Sequence, residues 1–86
     1  MKALRFTKHA QWRIIRREIS DEELAAALAG QVFKRKDGRF LYYDRRSRCT
    51  IVVDPSKQWI LTVYRQTKSQ AKRMLNPRSL LRKVLS

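Results

Sequence analysis

The sequence predicts an α+β fold: two N-terminal helices packed on a four-stranded antiparallel meander sheet, with a basic C-terminal helical tail. Three observations lead there. Apolar residues recur at helical spacing behind two N-cap signals, Thr7 and Ser20. After Gly30 the pattern changes to β-branched and aromatic runs separated by turn residues. The chain has 86 residues, enough for one core and so for a single domain, with a motif-bearing part at 6–66 and the tail at 67–86.

Each element follows from its residues. Thr7 caps a helix that runs to about Arg17, with Ala10 and Ile14 facing the core and Trp12 and Ile15 as further core candidates. Ser20-Asp21-Glu22-Glu23 is a capping box, in which Ser20 caps the amide three residues on and Glu23 reaches back. The second helix, 21–29, buries Leu24 and Leu28 one turn apart and stops at Gly30 in the C′ position. Segments 31–35 and 40–43 flank Asp37-Gly38, a hairpin signal. Arg45, Arg46, Ser47 and Arg48 form a basic turn before the β-branched strand 49–53. Asp54-Pro55 starts the next turn, and 58–65 is the last strand. There Ile60, Thr62 and Tyr64 share one face, while Trp59, Leu61 and Val63 share the other and face the helices. The tail reads as a helix over 69–75 and a second over 76–85, covering an edge or end of the sheet and adding positive surface.

Charge narrows the function. Lys and Arg number 21 against 7 Asp and Glu, for a net charge of +14. Such an excess opposes compaction, so a polyanion is expected to offset it: RNA, DNA, an acidic protein or an anionic membrane surface. No apolar run is long enough to span a membrane, and the N-terminus lacks the apolar stretch of a signal peptide. Cys49 is the lone cysteine, expected as core packing, and a cytoplasmic protein is the simplest reading. The chain lacks ligands for a zinc site, and no metal or cofactor is expected.

His9, the one histidine, lies a helical turn before an arginine. On a helical wheel Arg13 stands about 40° from His9, Arg16 about 20° to the other side and Arg17 about 80° away. RNA self-cleavage needs a base for the ribose 2′-hydroxyl, cations for the phosphorane and an acid for the leaving 5′-oxygen. Histidine transfers protons near neutral pH, and arginine pairs bidentately with phosphate. A solvated basic helix gives the same spacing. Thr62, Tyr64 and Arg65 form a second constellation on an open sheet face, beside Tyr42 or Tyr43, fit for base stacking and phosphate binding. Ordinary strand packing also favours Thr and Tyr. The turn arginines Arg45, Arg46 and Arg48, with Lys72 and Arg73 of the tail, are candidates to track phosphates or plain solvated charge.

The stretch His9-Ala10-x-x-Arg13-x-x-x-Arg17-x-Ile19-Ser20, the strand Thr62-Val63-Tyr64-Arg65, and Tyr42-Tyr43-Asp44 and Val52-Val53-Asp54 between them resemble a family of small bacterial proteins. That family is similar to the RelE, barnase, EndoU and colicin-D type ribonuclease toxins. The resemblance covers about 6–66 and implies two helices on a curved antiparallel sheet. It implies active groups at His9, Arg13 and Arg17 on the helix and at Thr62, Tyr64 and Arg65 on the strand. Glu18 departs from the pattern, standing where the family has glycine. A glycine there permits a left-handed turn, whereas Glu18 implies that the helix runs on or bends differently.

Three functions are consistent with these readings. The first is a metal-independent endoribonuclease toxin of a toxin–antitoxin pair, acting on free or ribosome-bound RNA and neutralised by an acidic antitoxin-like protein. The second is a non-catalytic RNA- or DNA-binding module that uses the same basic face. The third is an interaction protein whose charge only binds an acidic partner.

Overall fold

A computed structural model describes residues 4–75 and, for the backbone, 82–84. The elements are β1 (Arg5–Phe6), α1 (Lys8–Arg16), α2 (Asp21–Leu28), β2 (Gln31–Lys34), β3 (Phe40–Tyr43), β4 (Cys49–Val53), β5 (Trp59–Arg65), α3 (Lys68–Leu75) and β6 (Arg82–Val84). The fold is α+β.

Thr7 anchors the first helix. Its backbone is extended, and its Oγ1 accepts from the Ala10 amide at 3.1 Å. The same hydroxyl donates to the Ile60 carbonyl at 3.1 Å, tying the start of α1 to β5. The helix ends in a Schellman motif: the Ile19 amide reaches the Ile14 carbonyl at 3.0 Å, and the Glu18 amide reaches the Ile15 carbonyl at 3.2 Å. The motif needs a left-handed residue between Arg17 and Ile19, and Glu18 supplies it with φ 51°. The helix therefore does not run on through Glu18. Glutamate takes the conformation that glycine adopts without strain, and the burial of Ile19 holds it there. Glu18→Gly should raise stability by about 0.5–1 kcal/mol, measured by chemical denaturation, while Glu18→Ala should give no such gain.

On α1, Ala10 is buried and Ile14 packs against the core, but Trp12 and Ile15 are exposed, against expectation. The apolar stripe of a nine-residue helix resting on one strand is too narrow to include them. In α2 both halves of the capping box form. Leu24 and Ala27 are buried, whereas Leu28 in the last turn is 37% exposed rather than core. Gly30 is not left-handed, unlike a C′ glycine; a Cβ there would collide with the Tyr43 carbonyl, so close approach is what requires glycine.

Among the described residues the sheet has six strands in the order β1-β5-β4-β3-β2-β6. Strands β2 to β5 form the expected antiparallel meander. The expectation of a four-stranded sheet is corrected at both edges. β1 pairs parallel with β5, and β6 pairs antiparallel with β2. A two-residue strand is too short to show alternation in sequence, and Arg82–Val84 meets the open edge of β2, whose backbone groups need partners. Those three residues are strand rather than helix; 76–81 and 85 of the expected second tail helix lie outside the described residues.

Between β4 and β5 the register shifts. Val52 pairs with Thr62 and Val53 with Ile60, so Leu61 is the extra residue of a β-bulge. Before the bulge Ile60 faces α1 and α2; after it Val63 does. The simple alternation expected along β5 thus fails at Ile60 and Leu61 and holds at Thr62, Val63 and Tyr64. One core layer, with Ile51, Val53, Ile60 and Val63, lies under α1 and α2. The second layer, with Phe33, Leu41, Tyr43 and Val52, lies under Ala71 and Met74 of α3. The face expected to be open is therefore partly roofed by the tail helix. Cys49 is core, as expected, and burial pushes its thiol up to about 11, which leaves it unreactive.

Candidate functional site

The roof stops short of the β5 edge. There α1, β5 and α3 bound an open hollow of about 560 Å³. His9, Arg13 and Arg17 line it from the helix, and Thr62 and Tyr64 from the strand. The two constellations read separately in the sequence are thus brought to one place. The bulge at Leu61 turns Thr62 and Tyr64 toward this side, and the Thr7 cap sets the position of α1 beside them.

Within the hollow the Arg13 Nε donates to the His9 Nε2 at 3.3 Å. That bond uses the imidazole as an acceptor, so the neutral tautomer carries its hydrogen on Nδ1. Arg17 donates from Nη1 to the Val63 carbonyl at 2.9 Å, on the β5 edge that β1 leaves unpaired. Its remaining N–H groups make no hydrogen bond among the described residues. Tyr64 is half-buried against the second core layer, so its ring is held while one side borders the hollow.

Arg16 does not line the hollow. Its guanidinium lies 5.0 Å from the centre of the Trp12 ring, one turn back on the helix, and Arg13 approaches the same ring at 5.1 Å. Arg17 takes its place because it is the C-cap, where the backbone leaves the ideal wheel.

Arg65 borders the hollow but is mainly a clamp. Its Nε and Nη2 each sit 2.7 Å from the Glu23 carboxylate, and its guanidinium also donates to the carbonyls of Arg17 (2.8 Å) and Glu18 (3.1 Å). It pins the left-handed turn and α2 to β5, which fixes where Arg17 emerges. Most of the Arg65 donors are thus spent on protein. Arg45, Arg46 and Arg48 sit on the β3–β4 turn and do not reach the hollow. Arg48 is left-handed (φ 64°) and its carbonyl accepts from the Gln66 amide, a structural post. Lys72 is exposed on α3 and also does not line the hollow; Arg73 lines a neighbouring one.

Sequence reasoning missed Gln70. Thr67 and Gln70 form a reciprocal cap on α3, with the Gln70 amide donating to Thr67 Oγ1 at 3.2 Å and the Thr67 amide to Gln70 Oε1 at 3.0 Å. The pattern Thr-x-x-Gln was legible as a capping box. It places Gln70 on the border of both hollows, with its NH₂ making no hydrogen bond among the described residues.

The Arg65 hydrogen bonds hold the Glu23 carboxyl below its ordinary value of 4.5. Asp44, bonded by Ser47, and Asp54, bonded by Ser56, are also held below their ordinary value of 3.8. A depressed carboxylate stabilises the fold above its ordinary value, and that stability is lost as pH falls through the lowered one. Melting temperature should therefore fall below about pH 4.5, and Glu23→Gln should flatten the upper part of that fall.

Among the described residues no three His, Cys, Asp or Glu side chains come together, and no helix is long and apolar enough to cross a membrane. Comparison with protein-family models, with curated proteins and with solved structures finds no match to this chain.

Proposed function

We propose that the protein is an RNA-cleaving enzyme that forms a 2′,3′-cyclic phosphate without a metal. The observation that carries this reading is the convergence of His9, Arg13 and Arg17 of α1 with Thr62 and Tyr64 of β5 on one hollow. The net charge of +14 and the resemblance of these same positions to ribonuclease toxins support it.

A phosphate entering the hollow pairs with Arg13 and Arg17. Drawing the Arg13 guanidinium onto phosphate frees His9 Nε2 from its present hydrogen bond. The imidazole then takes the proton of the 2′-hydroxyl as that oxygen bonds to phosphorus. The guanidinium groups hold the charge that develops on the phosphorane. The bond to the 5′-oxygen breaks, and that oxygen receives the Tyr64 hydroxyl proton, with Thr62 as a further hydrogen-bond donor. Solvent restores both groups. An acidic partner protein would silence the site by covering the same arginines.

One observation favours a second reading. His9 Nε2 is occupied by Arg13, so the hollow can hold phosphate with no proton transfer, as in a binding module. Incubation of purified protein with total RNA, with and without EDTA and ribosomes, followed by end mapping, separates the two. Cleavage that persists in EDTA and leaves 2′,3′-cyclic ends is expected; binding without cleavage selects the module.

A further inference from the structure

Past Tyr64 and Gln70, which belong to both, the first hollow adjoins a second of about 420 Å³. Together they make one trough. Its floor is the sheet face beneath α3, with Thr62 and Tyr64 at the β5 end and Leu41 further in. One wall is α3, on which Gln70 and Arg73 stand one turn apart along the same side. Arg35, just past β2, closes the far end. Phe33 packs under α3, and Arg35, two residues on, lies on the same face of the sheet.

The trough carries charge of one sign. The chain has 7 Asp and Glu, yet none of them lines either hollow. Arg13 and Arg17 line one end, and Arg35 and Arg73 line the other. Arg73 forms no ion pair among the described residues. Arg35 reaches Asp37 only at 3.6 Å, with the two side chains 41% and 44% exposed. Such an exposed pair contributes little and yields to a better anion. β4 and β3 lie between β5 and β2, so three inter-strand steps, about 14 Å, separate Arg35 from the β5 end. A single nucleotide, with one phosphate, occupies one end, whereas a short single strand reaches both.

We propose that the trough is a track for single-stranded RNA, seating one phosphate on Arg13 and Arg17 and a flanking phosphate on Arg35 and Arg73. The proposal rests on the RNA reading of the first hollow. Between the two ends the strand crosses the Tyr64 ring, which borders both hollows and is held half-buried against the second core layer. A base between the two phosphates thus has an aromatic surface to stack on. Contacts to phosphate and to the face of a base carry no sequence information, so the track aligns the strand over His9 without choosing a base.

2′-O-Methyl RNA lacks the nucleophilic hydroxyl and so reports binding without cleavage. For the full chain, affinity should rise about 10-fold or more from 2′-O-methyluridine 5′-monophosphate to the trimer, as a second seat is engaged by the same strand. With the hexamer, the Arg35→Ala/Arg73→Ala double variant should lose affinity and flatten the slope of log K against log salt by about 0.7, the share of one phosphate contact. Its affinity for the mononucleotide should match the parent's. Arg45→Ala/Arg46→Ala removes the same charge from the β3–β4 turn, away from the trough, and should leave the slope unchanged. Equal flattening by the two double variants, or a slope in Arg35→Ala/Arg73→Ala equal to the parent's, overturns the track and leaves the first hollow standing. A hexaglutamate that binds as tightly as the RNA hexamer, and loses as much in the same variant, overturns it in favour of an acidic protein segment. A parent protein that binds no RNA overturns the RNA reading and the track together. Should the double variant not fold, the length series on the parent decides alone: equal affinity for monomer and trimer overturns the track.

Discussion

Replacing His9 with alanine should lower RNA cleavage about 10²- to 10⁴-fold, the usual scale for a general acid or base. RNA affinity should stay nearly unchanged, because a neutral imidazole that accepts a bond from Arg13 adds little to phosphate binding. Arg13→Ala should behave differently. Its guanidinium meets the phosphate in ground and transition states, so rate and affinity should fall together. Tyr64→Phe then divides hydroxyl chemistry from stacking: lost cleavage with kept affinity identifies the proton donor. Single-turnover rates and binding isotherms on one RNA provide all three comparisons. A His9→Ala protein that cuts as fast as the parent would rule out the proton-transfer role and leave the binding module.

Met74→Ala should cost about 2–5 kcal/mol, the range for truncating a buried methionine. Met74 is 5% exposed and, with Ala71, roofs the layer of Phe33, Leu41, Tyr43 and Val52. It also accepts the Gln66 amide hydrogen bond, which would be lost as well. A domain of this size holds a total of about 5–15 kcal/mol, so the change approaches the whole reserve. Lys72→Ala and Arg73→Ala, on the outer side of the same helix, should stay within about 0.5 kcal/mol. Denaturant unfolding of the three variants makes the test. Three equally small losses would show that α3 adds charge without closing the core.

Local signals in the sequence were sufficient for what local chemistry controls. The Thr7 cap, the Ser20–Glu23 box, the Asp37-Gly38 turn and the β-branched strand 49–53 each depend on residues within a few positions of one another. His9 and Arg13 were legible for the same reason, since i, i+4 spacing on one helix needs no partner, whereas spacing favoured Arg16 and only the resemblance pointed to Arg17. Thr62 and Tyr64 were legible as a strand pair.

Tertiary packing decided the rest. Whether Glu18 would extend α1 or turn left-handed depended on burying Ile19 and on four Arg65 hydrogen bonds that bridge more than forty residues. Which face Ile60 and Val63 share depended on a bulge that strand pairing creates. The division of labour among arginines, with Arg65 a clamp, Arg16 on Trp12 and Arg17 at the hollow, was invisible in composition because all three carry the same charge. By itself the sequence determined α1, α2, α3, the β2–β5 meander and the +14 charge. Only the tertiary structure joined α1, β5 and α3 around one groove, because contacts between segments some fifty residues apart are set by complementary surfaces rather than by spacing along the chain.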